Sequence, residues 1–203
     1  MTVGTEKVAA VAIFDFDGTI TYKSTTLPFL KFIYKKSFFL KLMAKLPTIL
    51  AYYSKRINID QLNQAISTTF FQNLSRDFLY EAGQEFATQI IPTLVKKSAM
   101  ECIKRHKDQG HYCILATSAY NIYIDYWAKN NGFDDLVSTK IAFNEKGLAT
   151  GYLDGKSCYG TEKLQQVLNL IGTNTQVIYA YGDSSGDIPL LNYATFAHYQ
   201  LFK

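Results

Sequence analysis

Residues 8–16, 111–118 and 176–182 form three apolar runs without alternation. Such runs are expected of strands covered on both faces in a parallel sheet. Helical patterns lie between and beyond them. One covers 92–109, with Pro92 near its start and Gly110 after its end; the next, 120–131, is closed by Gly132, and a third, 160–171, by Gly172. Proline near a helix start and glycine after its end are the usual punctuation. Strands alternating with helices of this length predict βαβ units. Residues 138–143 and 148–153, joined through 144–147, predict a β-hairpin hung on that sheet, and 196–202 a last edge strand.

The rhythm breaks between about residue 25 and residue 90. Apolar positions there recur at three and four, as in Leu27, Leu30, Ile33 and Tyr34, then Leu62, Ala65, Ile66, Thr69 and Phe70. Pro47 should end or kink one of the helices. A connection this long does not stay structureless in a compact protein, so it predicts a helical insertion after the first strand. The expected division is an α/β core domain from 1–21 and 92–203, with 22–91 as a helical cap.

With 203 residues, the chain has length for one sizeable core and a smaller insertion. Its 48% hydrophobic and 19% charged residues exclude a disordered chain. No window reaches the roughly 18 apolar residues of a membrane span, and aspartates follow the first apolar run where a signal peptide would be cleaved, so a cytoplasmic protein is expected. Cys102, Cys113 and Cys158 have neither disulfide nor zinc spacing and are expected to be small buried thiols. The net charge of +4 is unevenly spread: residues 22–56 hold eight basic side chains and no acid, a local field that attracts anions.

In an open parallel sheet, ligands bind beyond the carboxyl ends of the strands. The sequences at those ends are DFDGT (15–19), TSAY (117–120) and GDSSGD (182–187). Asp15 and Asp17 start out on the same face, with Phe16 turned into the packing. Two carboxylates so close need a cation or a shared proton between them. An ordinary Asp-Gly hairpin would require a partner strand directly afterwards, and the chain turns helical instead. A calcium loop fails on spacing: Gly18 is the fourth position from Asp15, not the sixth, and Thr26 stands in place of the bidentate glutamate. Asp183 and Asp187 form a second acidic cluster, which by itself is also the composition of a loop with a helix N-cap. Carboxylates converging from two strand ends suit Mg²⁺, a hard ion that takes oxygen ligands.

Lys163 falls in the first turn of a helix, where the macrodipole disfavours a cation unless an anion lies nearby. It is equally the position of many surface lysines. Thr117 and Ser118 end a strand just before a helix, an arrangement that makes either a phosphate site or a plain N-cap.

The order DFDGT, ILATS, GTEK and GDSSGD resembles the haloacid dehalogenase (HAD) superfamily of phosphatases. A helical insertion directly after the first motif is similar to its phosphoserine-phosphatase-like branch. The resemblance covers nearly the whole chain. It implies a three-layer, Rossmann-like α/β core with a parallel sheet and an inserted small helical cap. The implied activity is Mg²⁺-dependent hydrolysis of a small phosphorylated metabolite through an aspartyl phosphate. Asp15 would attack phosphorus, and Asp17 would protonate the leaving oxygen and later deprotonate water. Thr117 and Lys163 would hold phosphate oxygens, with Ser118 and Gly18 in the substrate-binding set. Asp15, Asp17 through its backbone carbonyl, and Asp183 would bind Mg²⁺, with Asp187 supporting the metal site. The chain departs from the branch in having no acid in residues 21–26 to recognise a substrate amine, and in carrying Ser118, Ala119 and Tyr120 where small glycines are usual. Both departures count against phosphoserine itself.

Three rival readings come from other features. Residues 182–186 fit G-x-S-x-G with Ser184 as a hydrolase nucleophile, but only His198 follows as a candidate base, and Asp15 and Asp17 would be unexplained. The basic, aromatic-rich stretch 30–56 could serve a non-catalytic scaffold that binds an anionic membrane or nucleic acid. The plainer expectation is a cap whose aromatics pack inward and whose lysines are solvated, with no nucleic-acid partner and with membrane contact left open as the lesser alternative. Between these stands a phosphatase using the patch to recognise a lysophospholipid-type substrate. His106, His111 and His198 fit no metal-ligand spacing.

Overall fold

A computed structural model describes residues 10–172 and 177–203; residues 8, 9 and 176 of the expected strands lie outside the described residues. The strands are β1 (Ala10–Phe14), β2 (Tyr112–Tyr120), β3 (Asp135–Thr139), β4 (Ile141–Phe143), β5 (Ala149–Leu153), β6 (Val177–Gly182) and β7 (Phe196–Tyr199). Five of them form one sheet in the order β3-β2-β1-β6-β7, with every neighbouring pair parallel. β4 and β5 pair antiparallel as a separate hairpin.

The centre of the sheet shows why its strands read as unbroken apolar runs. Successive side chains on a strand point to opposite faces, and in β1 both faces are buried. Val11 and Ile13 join Ile114, Ala116, Ile178 and Ala180 in one cluster, completed by Val167, Leu190 and Leu191. Ala12 and Phe14 join Cys113, Leu115 and Tyr181 in the other, with Cys102, Ile103, Ile124 and Trp127. The helices carrying those residues form the outer layers of a three-layer α/β architecture. α6 (Lys97–Asp108) and α7 (Asn121–Asn130) cover one face, and α8 (Thr161–Ile171) and α9 (Ile188–Tyr193) the other. Burying a side chain such as Phe14 or Ile13 stabilises the fold by roughly 2 kcal/mol. The three cysteines are free and buried.

Several expected boundaries differ from those observed, among them the last strand, which ends at Tyr199. Residues 138–143 are not one strand: Ser138 and Thr139 end β3, where Thr139 pairs with Tyr120 of β2, and the chain then leaves the sheet so that only Ile141–Phe143 joins the hairpin. Helix α6 starts at Lys97 rather than at 92, because Ile91–Thr93 is a short 3-10 turn and Val95 is taken by a bridge to Thr21. β2 continues past Ser118 to Tyr120, so α7 is capped at Tyr120 and Ser118 is not its N-cap.

The interval after β1 is helical as its periodicity predicts. It contains α1 (Thr26–Tyr34), α2 (Phe38–Ala44), α3 (Leu46–Tyr53), α4 (Ile59–Phe70) and α5 (Arg76–Gln89). Pro47 is the second residue of α3, after α2 has ended. A capping box between Asn58 and Gln61 starts α4, and the Ser75 hydroxyl accepts from Phe78 N–H at the start of α5. The two ends of the insertion are stitched together: Thr21 bridges Val95, Tyr22 N donates to Leu94 O at 2.9 Å, and Lys96 N donates to Ile20 O at 2.8 Å. The hairpin holds its far side, with Asn73 N donating to Ala149 O and Arg76 N to Gly147 O.

The insertion's aromatics divide. Phe29, Phe38, Phe70, Phe71 and Phe86 are buried in the same cluster as Phe14 and Tyr181. Phe39, Leu40, Met43, Leu50 and Tyr53 stay exposed, so inward packing describes only half of the stretch. Among the described residues no helix is long and apolar enough to cross a membrane.

Candidate active site

Three neighbouring strands deliver the site. Asp15 follows β1 directly, Asp183 follows β6, and Thr117 lies near the end of β2. Because β1 sits between β2 and β6 and all run parallel, these residues meet at one edge. Asp15 N donates to Tyr181 O at 2.9 Å and so fixes the point where the chain leaves the sheet.

Carboxylate oxygens of Asp15, Asp183 and Asp187 lie within 4.8 Å of one another. Lys163 reaches them from the first turn of α8, and its Nζ is 2.8 Å from Asp15 Oδ1 and 2.6 Å from Asp187 Oδ1. That lysine is only 2% exposed. The anion that a cation at this helix position requires is therefore supplied by the protein itself. Burial alone would lower the Lys163 pKa, but Asp15 and Asp187 reverse the shift and raise it.

The four aspartates have different surroundings. Burial pushes the Asp15 carboxyl up to about 7, against the pull of Lys163. Burial likewise raises Asp17 to about 6, while hydrogen bonds from Thr25 and Ser24 hold it down. Thr25 gives Asp17 Oδ1 both its backbone N–H, at 2.9 Å, and its hydroxyl, at 2.7 Å. Asp183 is raised by burial, with its Oδ1 accepting from the Thr19 hydroxyl at 3.0 Å. Asp187 goes the other way: burial is overcome by Lys163 and by the Ser184 hydrogen bonds, and its pKa is lowered. Its Oδ2 accepts from Ser184 N, Ser184 Oγ and Asp183 N, so this residue organises its own loop.

Gly18 allows the close approach. Its φ is +91°, and a Cβ there would stand 2.2 Å from Asp183 Oδ2. Only glycine accommodates both constraints. The Gly18 carbonyl accepts from Lys96 Nζ at 2.6 Å, and the same ammonium donates to Phe202 O at 3.2 Å. Thr117 is fully buried and its Oγ1 accepts from Ala119 N at 3.1 Å, while Ser118 is half-buried beside it. With α7 beginning only at Asn121, the N–H groups near these hydroxyls belong to the strand end and not to a helix N-terminus.

Several residues that shape this site stand outside the motifs. Thr25 and Ser24 act on Asp17 from the start of the insertion, and Lys96 reaches the 16–20 turn from its return. Tyr159 shares a hydrogen bond with the Ser185 hydroxyl at 2.7 Å and packs where a Gly186 side chain would otherwise sit. The serine-hydrolase geometry is not formed. The Ser184 hydroxyl donates to Asp187 and accepts from Gly186 N, and His198 instead stacks on Tyr181. No imidazole among the described residues bonds to Ser184.

The donor set fits a hard divalent cation, since carboxylate oxygens of Asp15, Asp183 and Asp187 lie within 4.8 Å of one another.

Comparison with known proteins agrees with this fold. Protein CicA of Caulobacter vibrioides is 27% identical over 190 residues, an alignment covering 94% of this chain and 85% of that protein. A protein with unknown function from Bordetella pertussis Tohama I shares the fold with a TM-score of 0.81 at 20% identity, over 93% of this chain and 88% of that one. A phosphoserine phosphohydrolase-like protein from Francisella tularensis superposes with a TM-score of 0.68 at 21% identity, over 92% and 84% of the two chains. The family model described as haloacid dehalogenase-like hydrolase matches residues 12–192, from β1 through β6 with the whole insertion. The chain therefore belongs to the haloacid dehalogenase-like hydrolase family.

Proposed function

We propose that the protein hydrolyses phosphomonoesters of a small metabolite through a phosphorylated Asp15, with Mg²⁺ as cofactor. The observation that carries this reading is the meeting of Asp15, Asp183 and Asp187 with the Lys163 ammonium at adjacent strand ends.

Asp15 Oδ attacks phosphorus, and the bond from phosphorus to the ester oxygen breaks. The departing oxygen takes its proton from Asp17, whose raised pKa suits a donor near neutral pH. Water then attacks the phosphorus of the aspartyl phosphate, Asp17 takes its proton back from that water, and inorganic phosphate leaves Asp15. Splitting the displacement in two avoids direct attack by water on the ester. Lys163 neutralises phosphoryl oxygens from one side, and the hydroxyls of Thr117 and Ser118 stand at the neighbouring strand end to orient them. Asp15, Asp183 and the Asp17 carbonyl would hold the cation, with Asp187 positioning Lys163 and the 183–184 backbone. Bound there, Mg²⁺ supplies positive charge that favours the ionised form of Asp15 and offsets charge on the phosphoryl group.

Residues 21–26 offer no carboxylate to a substrate ammonium, which argues against phosphoserine as the substrate. The test is a panel of amino-acid, sugar, nucleotide and lysolipid phosphates, assayed with Mg²⁺ and with a chelator. Wild-type protein should release phosphate only with the metal, and Asp15→Asn should release none. Activity persisting in Asp15→Asn would overturn the reading.

A further inference from the structure

The first part of the insertion has two properties that a solvated cap does not need. Phe39, Leu40 and Met43 on α2, and Leu46, Leu50 and Tyr53 on α3, are exposed, with Leu40 and Tyr53 each at 78% and Met43 at 63%. Positions 40 and 43, and 46, 50 and 53, are three or four apart, which puts each set on one face of its helix. An apolar groove of about 830 Å³ lies beside them, lined by Leu27, Phe32, Phe39 and Leu42. Exposed apolar side chains concentrated in this way mark an interaction site more often than a solvated face.

Charge separates the candidate occupants. Residues 22–56 carry eight basic side chains and no acid, and Lys23, Lys31, Lys35 and Lys36 line the same groove with their side chains exposed. A second copy of this chain would bring like charge against like charge, which costs several kcal/mol in an interface. Protein interfaces in general are poor in lysine. Nucleic acid would use the lysines but leave the exposed leucines and methionine unburied, since phosphate contacts need no aliphatic groups. An anionic bilayer uses both: aliphatic and aromatic side chains enter the acyl boundary while lysines extend to the headgroup phosphates.

We propose that α2 and α3 with the adjacent groove form a docking surface for an anionic lipid bilayer, so that the protein works as a reversibly membrane-bound enzyme. The surface does not depend on the hydrolytic reading, since none of its residues belongs to the catalytic set. It does sit on the same insertion whose first residues, Ser24 and Thr25, hold Asp17. Lys41 is a lesser contributor than its neighbours, because its ammonium already bonds Thr69 O at 3.1 Å and lies over the Tyr34 ring.

The experiment is co-sedimentation of the full chain with vesicles of phosphatidylcholine alone and of phosphatidylcholine mixed with phosphatidylglycerol. Binding is expected to the mixed vesicles only, and to weaken on raising salt to about 0.5 M, where surface charge is screened within a few ångströms. The double variant Leu40→Glu, Leu50→Glu should bind at least about tenfold more weakly, because carboxylates replace inserted side chains and repel the headgroups. Both residues are more than half exposed, so the variant should keep the wild-type circular dichroism and its rate on a small soluble phosphate ester. No binding to mixed vesicles at low salt overturns the proposal. So does wild-type vesicle binding in the folded double variant. Tight duplex-DNA binding that the double variant retains, or a dimer that it dissolves, would reassign the surface to nucleic acid or to self-association and overturn it equally.

Discussion

Lys163 Nζ lies 2.8 Å from Asp15 Oδ1 although 148 residues separate the two in the chain. Both are buried, and the lysine's other partner, Asp187, is buried as well. A buried ion pair adds little compared with an apolar filling, but removing one partner leaves an uncompensated charge. Lys163→Met keeps most of the volume and leaves two facing carboxylates without their cation. It should lower stability by roughly 3–5 kcal/mol in urea titration and abolish phosphate release. Asp15→Asn, in which Lys163 retains Asp187, should lose turnover while unfolding close to the wild-type midpoint. If the two variants unfold alike, removing the lysine does not leave an uncompensated buried charge.

Gly18 offers a sharper test of how the first and last motifs meet. A methyl group at this position would overlap the Asp183 carboxylate, at a backbone angle that side chains rarely adopt. Gly18→Ala should therefore raise the Mg²⁺ concentration needed for half-maximal activity and cost on the order of 1–3 kcal/mol of stability. A Mg²⁺ titration matching wild type would show that the turn yields without moving Asp183.

Much of this arrangement is visible in the residues alone. The unbroken apolar runs identify strands buried on both sides, and the acidic pairs stand where such strands must end. Lys96 is invisible to that reasoning, because nothing near it in sequence signals that the insertion's return passes beside the Gly18 carbonyl. The break after Thr139 is equally hidden, since residues 138–143 read as one arm of a hairpin until β2 claims Thr139. Ser118 reads equally as a helix cap or as part of a phosphate site, because propensity cannot show that β2 continues two residues further. The outward half of the aromatic stretch escapes for a related reason: spacing at three and four marks a face, but not whether protein or solvent lies against it.

His106 makes stability depend on acidity. Its Nδ1 is 2.7 Å from His111 Nδ1, so that pair shares one proton, and its Nε2 is 2.8 Å from the Tyr181 hydroxyl. Burial, with His111, Arg105 and His198 nearby, pushes its pKa down to about 4 from 6.5. Between those values the unfolded chain binds the proton and the folded one does not, so this group's contribution falls as pH drops through the window. Asp15 and Asp17, raised to about 7 and about 6 from 3.8, slope the opposite way over much of the same range. The variant isolates the histidine: His106→Gln should lose less stability than wild type on going from pH 6.5 to 4.5. Equal losses in urea midpoints at the two pH values would refute the assignment.

Ser67 carries the one buried side-chain polar atom without a hydrogen-bond partner among the described residues. A hydroxyl desolvated for nothing costs about 1–3 kcal/mol, and alanine is also the better helix former in α4. Ser67→Ala should raise the melting temperature by about 2–4 °C per kcal/mol gained. A fall in melting temperature would mean that the hydroxyl has a partner after all.

Thr25 is both the cap residue of α1 and the donor of two hydrogen bonds to Asp17. Those bonds favour the charged carboxylate, so their loss would make Asp17 hold its proton more tightly. Under the proposed mechanism, the seating of the first helix would thus set the strength of the acid that Asp17 supplies.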